Sequence, residues 1–345
     1  MKNWTGAFQI AAVYVGTVIG AGFATGREIV EFFTRFGFYG LVAILVAGYL
    51  FIFIGSKIML KAIQIKAESY EEYNRFIFGP HVAKAMNILM LVMLIGVCAV
   101  MLSGAEALFA EQLGFGRMTG TLLTVILALA VMAIGVKGLF AVNSFVVPVM
   151  IAFNVFVMVK AMPAEGFLSM AVSSPGMGES WKAGISAFSY AALNLALAQA
   201  VLVPMAKEVN DRTMVKWGGI LGGLLLTVIL MTSHLALATL PSPTAFDIPM
   251  AVVVKHSAGS IYAVYLCIIY GEIFTSVIGN LFGLERQIRR YIPVHSLWIH
   301  ASILLLVFAI SQVNYGTLLG VLYPLFGYIS LVFLAVVIWK REAVK

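Results

Sequence analysis

Charged residues are scarce in this 345-residue chain, and their scarcity excludes a water-soluble fold. Only 11% of the residues are charged, whereas 62% are hydrophobic, and the mean hydropathy is +1.01. The chain has just two cysteines, Cys98 and Cys267, both inside apolar runs, which argues against a disulfide framework or a structural zinc site. The sequence contains no nucleotide-binding glycine loop, no HExxH motif and no nucleophile elbow in a strand-turn-helix context. We therefore expect neither an enzyme nor a cofactor.

Apolar runs of roughly 20 residues recur along the whole sequence, and a helix needs about 20 such residues to cross a bilayer. The pattern predicts an all-α polytopic membrane protein with a single transmembrane domain over residues 1–345. Ten spans can be placed, at about 5–34, 38–62, 83–112, 118–136, 138–160, 181–206, 214–240, 259–286, 296–312 and 316–339.

Positive charge is divided unevenly between the two ends of these spans. Sixteen of the 22 Lys and Arg residues lie on one side, and the remaining six are Arg27, Arg35, Arg117, Lys160, Lys182 and Lys255. Because basic residues concentrate on cytoplasmic loops, we expect a multi-pass cell-membrane protein with both termini in the cytoplasm. The same loops explain the net charge of +7 without a nucleic-acid partner.

The spans divide into two halves of five, about 5–160 and 181–339, joined by a loop over residues 163–180. Five is odd, so the second half enters from the opposite side, and halves that share a fold would be inverted repeats. Such repeats predict an interrupted helix at the start of each half. The long connections at Lys66–Pro80 and Pro241–Gly259 each have room for a short helix, although a solvated charged loop is the alternative for the first.

The first span contains the run GTVIGAGFATG, residues 16–26, whose four glycines predict a broken helix. Each glycine inside a helix costs roughly 0.8 to 1 kcal/mol relative to alanine, and backbone groups freed in lipid need partners. Free N–H groups attract a carboxylate and free carbonyls attract a cation, so the break suits a zwitterion with its carboxylate at Ala21 and Gly22. A close helix crossing through small residues such as Gly16 and Gly20 is the alternative.

Polar residues mark two further spans. Span six carries Ser189, Tyr190, Asn194 and Gln199 ahead of Pro204, and we expect the second break there. Span eight places Glu272 near mid-membrane with Thr275 and Ser276 about one turn further on; an ionisable residue at that depth indicates function, and two hydroxyls with nearby carbonyls suit a small cation. Hydroxyls that bond back to the preceding turn are the alternative.

These segments resemble a known family. GTVIGAGF resembles the opening helix of the leucine-transporter (LeuT) fold in the amino acid-polyamine-organocation (APC) superfamily, and GVKGLFAVNSFVVP, with Pro148, is similar to its fifth span. FTSVIGNLFGLE resembles the segment that carries the Thr-Ser pair of the sodium site in that family. The longer run GTVIGAGFATGRE looks closest to the YkvI-type amino acid permeases.

The resemblance implies roles for individual residues. It implies a sodium site made by the carbonyls of Gly16, Ile19 and Glu272 and the hydroxyls of Thr275 and Ser276. It implies a substrate site, with the amine near the span-six carbonyls, formed by Gly20, Ala21, Gly22, Phe23, Thr25, Ser103, Phe188, Ser189, Tyr190, Ala191 and Asn194. Phe23 stands where sodium-coupled relatives have an asparagine ligand, which argues for one sodium ion rather than two. Gating or proton coupling is predicted for Arg27, Glu28 and Glu106. The alternative for Arg27 and Glu28 is that they pair with each other within the bundle.

We therefore expect a secondary active transporter that moves an amino acid or a related small zwitterion or amine by alternating access, coupled to Na⁺. Proton coupling through Glu272 or Glu28, as permease or exchanger, is one alternative. A ligand sensor on the same fold that does not transport is an alternative of another class. The expected partners are a small-molecule substrate and the lipid bilayer.

Overall fold

The structure is a computed structural model, and it describes residues 4–163, 180–246, 248–312 and 315–339. Nearly all regular structure in these residues is α-helical, in this order: α1 (Trp4–Val18), α2 (Ala21–Ala24), α3 (Arg27–Phe32), α4 (Phe38–Leu50), α5 (Ser56–Ile65), α6 (Tyr70–Phe78), α7 (Pro80–Ala107), α8 (Arg117–Ala133), α9 (Val136–Ala161), α10 (Ser180–Val209), α11 (Arg212–Leu237), α12 (Pro249–Ala258), α13 (Tyr262–Ile288), α14 (Ser296–Ser311) and α15 (Tyr315–Trp339). A π-helical turn, Phe51–Gly55, joins α4 to α5, and another, Leu108–Gln112, extends α7. Most of the loop predicted over residues 163–180 lies outside the described residues.

Helical structure coincides with each of the ten predicted spans. Within the described part of the chain, six helical stretches are long and apolar enough to cross a membrane: Phe38–Ile65, Pro80–Ala110, Val136–Ala161, Ser180–Val209, Arg212–Leu237 and Pro249–Ile288. Three shorter apolar helices, Met118–Ala133, Ser296–Ser311 and Ile329–Trp339, and the divided first span account for the rest. The short helices expected in the two long connections are confirmed as α6 and α12.

The two halves exchange their first helices. The α1 helix packs on α11 of the other half and on α9 of its own, while α10 packs on α4 and α5 of the first half and on α15 of its own. The third spans of the two halves, α7 and α13, pack on each other. The first span of each half therefore packs on the second span of the other half and on the fifth span of its own, as related repeats require. The limits of the repeats, 5–160 and 181–339, stay a prediction.

A glycine-rich stretch of α11, residues 218–223, allows this close packing. A Cβ added to Gly222 would lie 2.5 Å from Cδ1 of Tyr14 in α1, and one added to Gly223 would lie 2.6 Å from the backbone N of Ile52. Small residues let backbones approach in a membrane, where van der Waals packing rather than the hydrophobic effect holds helices together. These glycines thereby fix α1 at the centre of the bundle.

The sixth span is continuous, which corrects the break predicted in it. The α10 helix runs from Ser180 to Val209 without interruption. Between Phe188 and Val203 it contains neither glycine nor proline, and Asn194 donates from Nδ2 to the carbonyl of Tyr190 one turn earlier, at 2.9 Å. The amide of Asn194 is thus accommodated within the helix. The carbonyl groups of residues 188–191 lie inside a helix rather than at a helix end, so the reason to expect them at a substrate amine is lost.

Candidate functional site

The first span is broken at the glycine-rich run, as predicted. The helical hydrogen bonds of α1 extend to the bond from Ile19 N to Val15 O (2.9 Å) and resume with that from Ala24 N to Gly20 O (2.9 Å). A second change of direction follows at Gly26, whose φ of 80° is in the left-handed region that glycine favours. The amides of residues 20–23 therefore lie at the start of a new helical turn, α2.

The break faces the Thr-Ser pair of α13. A Cβ on Gly16 would lie 3.4 Å from Cβ of Thr275, and a Cβ on Gly20 would lie 3.4 Å from Oγ of Ser276. Both α13 side chains are buried. The structure thus brings together the two segments that were predicted to share a cation. Both glycines also lie at close helix contacts, so the alternative of a close helix crossing through small residues holds as well. Their role as ligands, with the carbonyl of Ile19, stays a prediction.

Thr275 also satisfies its hydroxyl donor within its own helix. Its Oγ1 donates to the carbonyl of Glu272, at 3.0 Å, so the back-bonding alternative holds for this residue. The lone pairs of Oγ1 are still able to accept or to coordinate. The Glu272 side chain is itself buried, and its Oε2 has no hydrogen-bond partner among the described residues.

Sequence reasoning missed Asn143 of α9, which points at the same place. A Cβ on Gly16 would overlap the Oδ1 of Asn143 and lie 3.0 Å from its Cγ. Asn143 is 1% exposed, its Nδ2 donates to the carbonyl of Leu139 at 2.9 Å, and Oδ1 has no hydrogen-bond partner in the described ranges. A buried amide oxygen without a partner is costly and asks for a ligand or a water. The available signal was an amide, one of two in the apolar fifth span, within a segment already noted for its family resemblance.

The span-six residues fall on two sides of α10. Ser189, Tyr190, Ala191 and Asn194 are buried, whereas the side chain of Phe188 is 43% exposed, and the assignment of Phe188 to a substrate site stays a prediction. Residues two positions apart on a helix are rotated by about 200° from each other, so Phe188 and Tyr190 face opposite ways. Ser189 faces α15, since a Cβ on Gly327 would lie 3.1 Å from its Oγ.

Tyr190 lies at the centre of an aromatic cluster. Its ring centroid is 4.9 Å from that of Phe33, 5.2 Å from that of Phe32 and 6.1 Å from that of Phe51. Its hydroxyl is buried and has no hydrogen-bond partner within the part of the chain that the structure describes. After Oε2 of Glu272 and Oδ1 of Asn143, this phenol is therefore the third buried polar group near the first span that lacks a partner among the described residues.

The remaining predicted substrate residues surround the break. Phe23 is buried in α2, Thr25 donates from Oγ1 to the carbonyl of Gly22 at 3.1 Å, and Ser103 is buried in α7. The same helix covers the break from the other side, since a Cβ on Gly20 would lie 3.0 Å from Cε of Met101. Ala21 is the first residue of α2. Their contact with a substrate stays a prediction.

The adjacent charged residues of α3 point to different neighbours. Arg27 donates from Nη1 to the carbonyls of Thr244 (3.0 Å) and Phe246 (2.8 Å), in the connection after α11. The buried side chain of Glu28 instead folds back over Gly22. The gate predicted for these residues is untested, as is that of Glu106, whose Oε2 is buried without a hydrogen-bond partner among the described residues.

Polar contacts close the opposite end of the bundle, where α6 crosses the ends of α10 and α13. The links are Lys207 to Glu68 (2.6 Å), Arg286 to Glu208 (2.6 Å), Arg290 to Glu72 (3.0 Å), Tyr291 Oη to Glu71 (2.6 Å) and Gln287 Nε2 to Glu71. The hydrogen bond and charge of Lys207 lower the pKa of the Glu68 carboxyl. This set of contacts, the basic-end network, ties three helices together.

The chain resembles known proteins in sequence and in fold, although no protein-family model matches it. It is 49% identical over 338 residues to the membrane protein YkvI of Bacillus subtilis (strain 168), covering 97% of this chain and 96% of that protein. Its structure is similar to that of MhsT in complex with L-phenylalanine (TM-score 0.71, 16% identity, 96% of this chain and 86% of that one). It is also similar to a Na⁺-coupled sialic acid symporter in a substrate-bound outward-open state (TM-score 0.70, 11% identity, 94% and 75%).

At these low identities the structural likeness establishes the fold alone, which is the LeuT fold of a polytopic membrane protein. Membership of the wider APC superfamily stays a prediction. The likeness to YkvI extends over nearly the full length of both chains. This chain therefore belongs to the YkvI family of membrane proteins.

Proposed function

We propose that the protein is a secondary active transporter that moves a small solute bearing an amino group by alternating access, driven by one sodium ion. The observation that carries the proposal is that the α1 break meets Thr275, Ser276 and the Oδ1 of Asn143, which has no hydrogen-bond partner among the described residues. Broken helices at the centre of a bundle are where transporters of this architecture bind solute and ion. The fold shared with a Na⁺-coupled symporter supports the same reading.

The oxygen atoms at this place suit a hard monovalent cation. Sodium favours oxygen ligands, and the candidates are the carbonyls of Gly16, Ile19 and Glu272, the hydroxyls of Thr275 and Ser276, and Oδ1 of Asn143. All six are neutral, so the site depends on the number of oxygens rather than on a carboxylate. The buried phenyl ring of Phe23 supports a single ion, because it supplies no oxygen to a second one.

Replacement of the hydroxyl pair tests the coupling. In proteoliposomes we expect uptake to fall when choline replaces sodium at fixed pH, and the Thr275→Ala, Ser276→Ala double variant to lose this dependence. Thr232 and Ser233 of α11 form another buried Thr-Ser pair, and their double alanine variant is the matched control that should keep it. Unchanged uptake in choline, with unaffected uptake in the Thr275, Ser276 variant, would sink the proposal.

Proton coupling is the second candidate, and the buried Oε2 of Glu272 without a described partner favours it. It predicts that a pH gradient alone drives accumulation and that Glu272→Gln leaves only exchange. If Glu28 is the proton carrier instead, Glu28→Gln should leave only exchange. A solute that binds the purified protein but is never accumulated, with either gradient, would instead indicate a sensor.

A further inference from the structure

Glu28 places a carboxylate at the break of the first span. A Cβ on Gly22 would overlap Oε1 of Glu28 and lie 2.8 Å from its Cδ, so the absence of a side chain at residue 22 makes room for the glutamate. Between the two residues, Gly26 adopts a left-handed backbone conformation that turns the chain from α2 into α3. Glu28 is only 5% exposed, so its carboxylate belongs to the interior rather than to solvent.

This position matters for the charge of the solute. The amides of Ala21 and Gly22, at the start of a helical turn, are where an amino acid would present its carboxylate. A second carboxylate beside a buried one is disfavoured, because like charges in a site of low dielectric raise each other's energy. The chain thus supplies from Glu28 the negative charge that an amino acid would bring.

The neighbours of Glu28 suit a cation. Phe32 lies four residues further along α3, so the two side chains share one helix face. Its ring packs 5.2 Å from that of Tyr190, whose buried hydroxyl lacks a hydrogen-bond partner among the described residues. An ammonium group is bound well by a carboxylate, aromatic rings and a hydroxyl acceptor together. The nearby cation, Arg27, is engaged by the carbonyls of Thr244 and Phe246.

We propose that the solute is an organic amine that lacks a carboxylate next to its amino group, and that the Glu28 carboxylate is the counter-ion of its ammonium. The inference rests on the proposed function for the location of the solute site, but it does not require sodium coupling. It gives Glu28 the role of a substrate-binding residue in place of a gate or proton carrier.

Matched pairs of ligands test this directly. The purified full-length protein in sodium is melted with phenethylamine against phenylalanine, isoamylamine against leucine, and cadaverine against lysine. A ligand that binds the folded state raises the melting temperature by mass action. We expect at least one amine to stabilise the protein, with an affinity at least about tenfold above that of its parent amino acid.

Variants at Glu28 separate binding from folding. Glu28→Gln keeps the size of the side chain and removes the charge, and we expect it to lower the amine affinity at least about tenfold and to abolish the preference over the amino acid. Glu28→Asp keeps the charge and should keep the preference. Glu31→Gln is the matched control, because Glu31 belongs to the same short helix but is exposed and paired with Arg35. It should leave binding unchanged.

The proposal is overturned if no amine of the panel stabilises the protein at millimolar concentration, if an amino acid binds as tightly as its amine, or if Glu28→Gln leaves the amine affinity unaltered. If Glu28→Gln does not fold, the preference in the wild type and in Glu28→Asp decides. Sodium-driven uptake of an amino acid would sustain the proposed function and overturn this inference. Binding of an amine that is never accumulated would sustain this inference and overturn the proposed function.

Discussion

Oδ1 of Asn143, on α9, fills the space that a side chain on Gly16 of α1 would need. Gly16→Ala should therefore destabilise the protein by about 1 to 3 kcal/mol, the usual cost of overpacking a close contact. Asn143→Gly should restore part of that stability in the double variant, because the two residues are in contact and their effects are coupled. Denaturant unfolding in detergent measures both.

Gly184→Ala is the control for this cycle. Gly184 lies in the first turns of α10, and a Cβ there would meet no atom within 4 Å. It should be neutral or slightly stabilising, since alanine is the better helix former. Equal stability of Gly16→Ala and the wild type would contradict the contact between Gly16 and Asn143.

Removal of the Asn143 amide should weaken sodium binding. We expect Asn143→Ala to raise the sodium concentration for half-maximal stabilisation or uptake by about tenfold, which corresponds to the loss of one ligand worth about 1.4 kcal/mol. Asn154→Ala is the matched control on the same helix: its Nδ2 also bonds one turn back, to Met150 O at 3.0 Å, but its Oδ1 already accepts from Ser233 at 2.8 Å. A similar sodium dependence in both variants would remove Asn143 from the cation site.

Loss of Glu71 should open the basic-end network. Glu71 accepts from Tyr291 and Gln287, so Glu71→Ala leaves the Arg290–Glu72 pair as the remaining link of this network between α6 and the end of α13. A cysteine introduced at the buried Ala83, which lines a cavity of about 520 Å³ at this end, should then react severalfold faster with a membrane-impermeant maleimide. Glu31→Ala, which removes the exposed pair with Arg35, serves as the control. An unchanged rate would mean that Glu71 does not hold this end closed.

Acidification should remove a small part of the stability through Glu68. Its folded-state pKa is lowered by Lys207, so its contribution is present above the ordinary carboxyl pKa of 4.5 and is lost as the pH falls through the folded value. The pair is exposed, which limits the effect to about 0.2 to 1 kcal/mol. The melting curves of wild type and Glu68→Gln should differ at pH 7 and converge once the pH falls below the folded-state pKa of Glu68. A constant difference across this range would contradict the pairing.

Hydrophobic run length and glycine placement were enough to predict the spans and the break in the first one. Both signals are local, because a span needs a minimum length and a glycine weakens the helix in which it stands. Polar residues in span six were a poor guide to a break, since Asn194 is satisfied by the turn before it. The contact between Asn143 and Gly16 joins residues far apart in sequence and depends on how α9 crosses α1, which no local pattern encodes. Arg27 and Glu28 are adjacent, yet the turn at Gly26 decides which neighbours they reach.

The unbroken α10 has a consequence for how members of this family diverge. In the proposed site, recognition on the α1 side uses main-chain amides and carbonyls, which a point substitution leaves in place, together with the Glu28 carboxylate. On the α10 side it can use only side chains such as those of Tyr190 and Asn194, which a single codon change replaces. Under the proposed function, solute preference is therefore free to drift through substitutions in α10, while the main-chain part of the site persists.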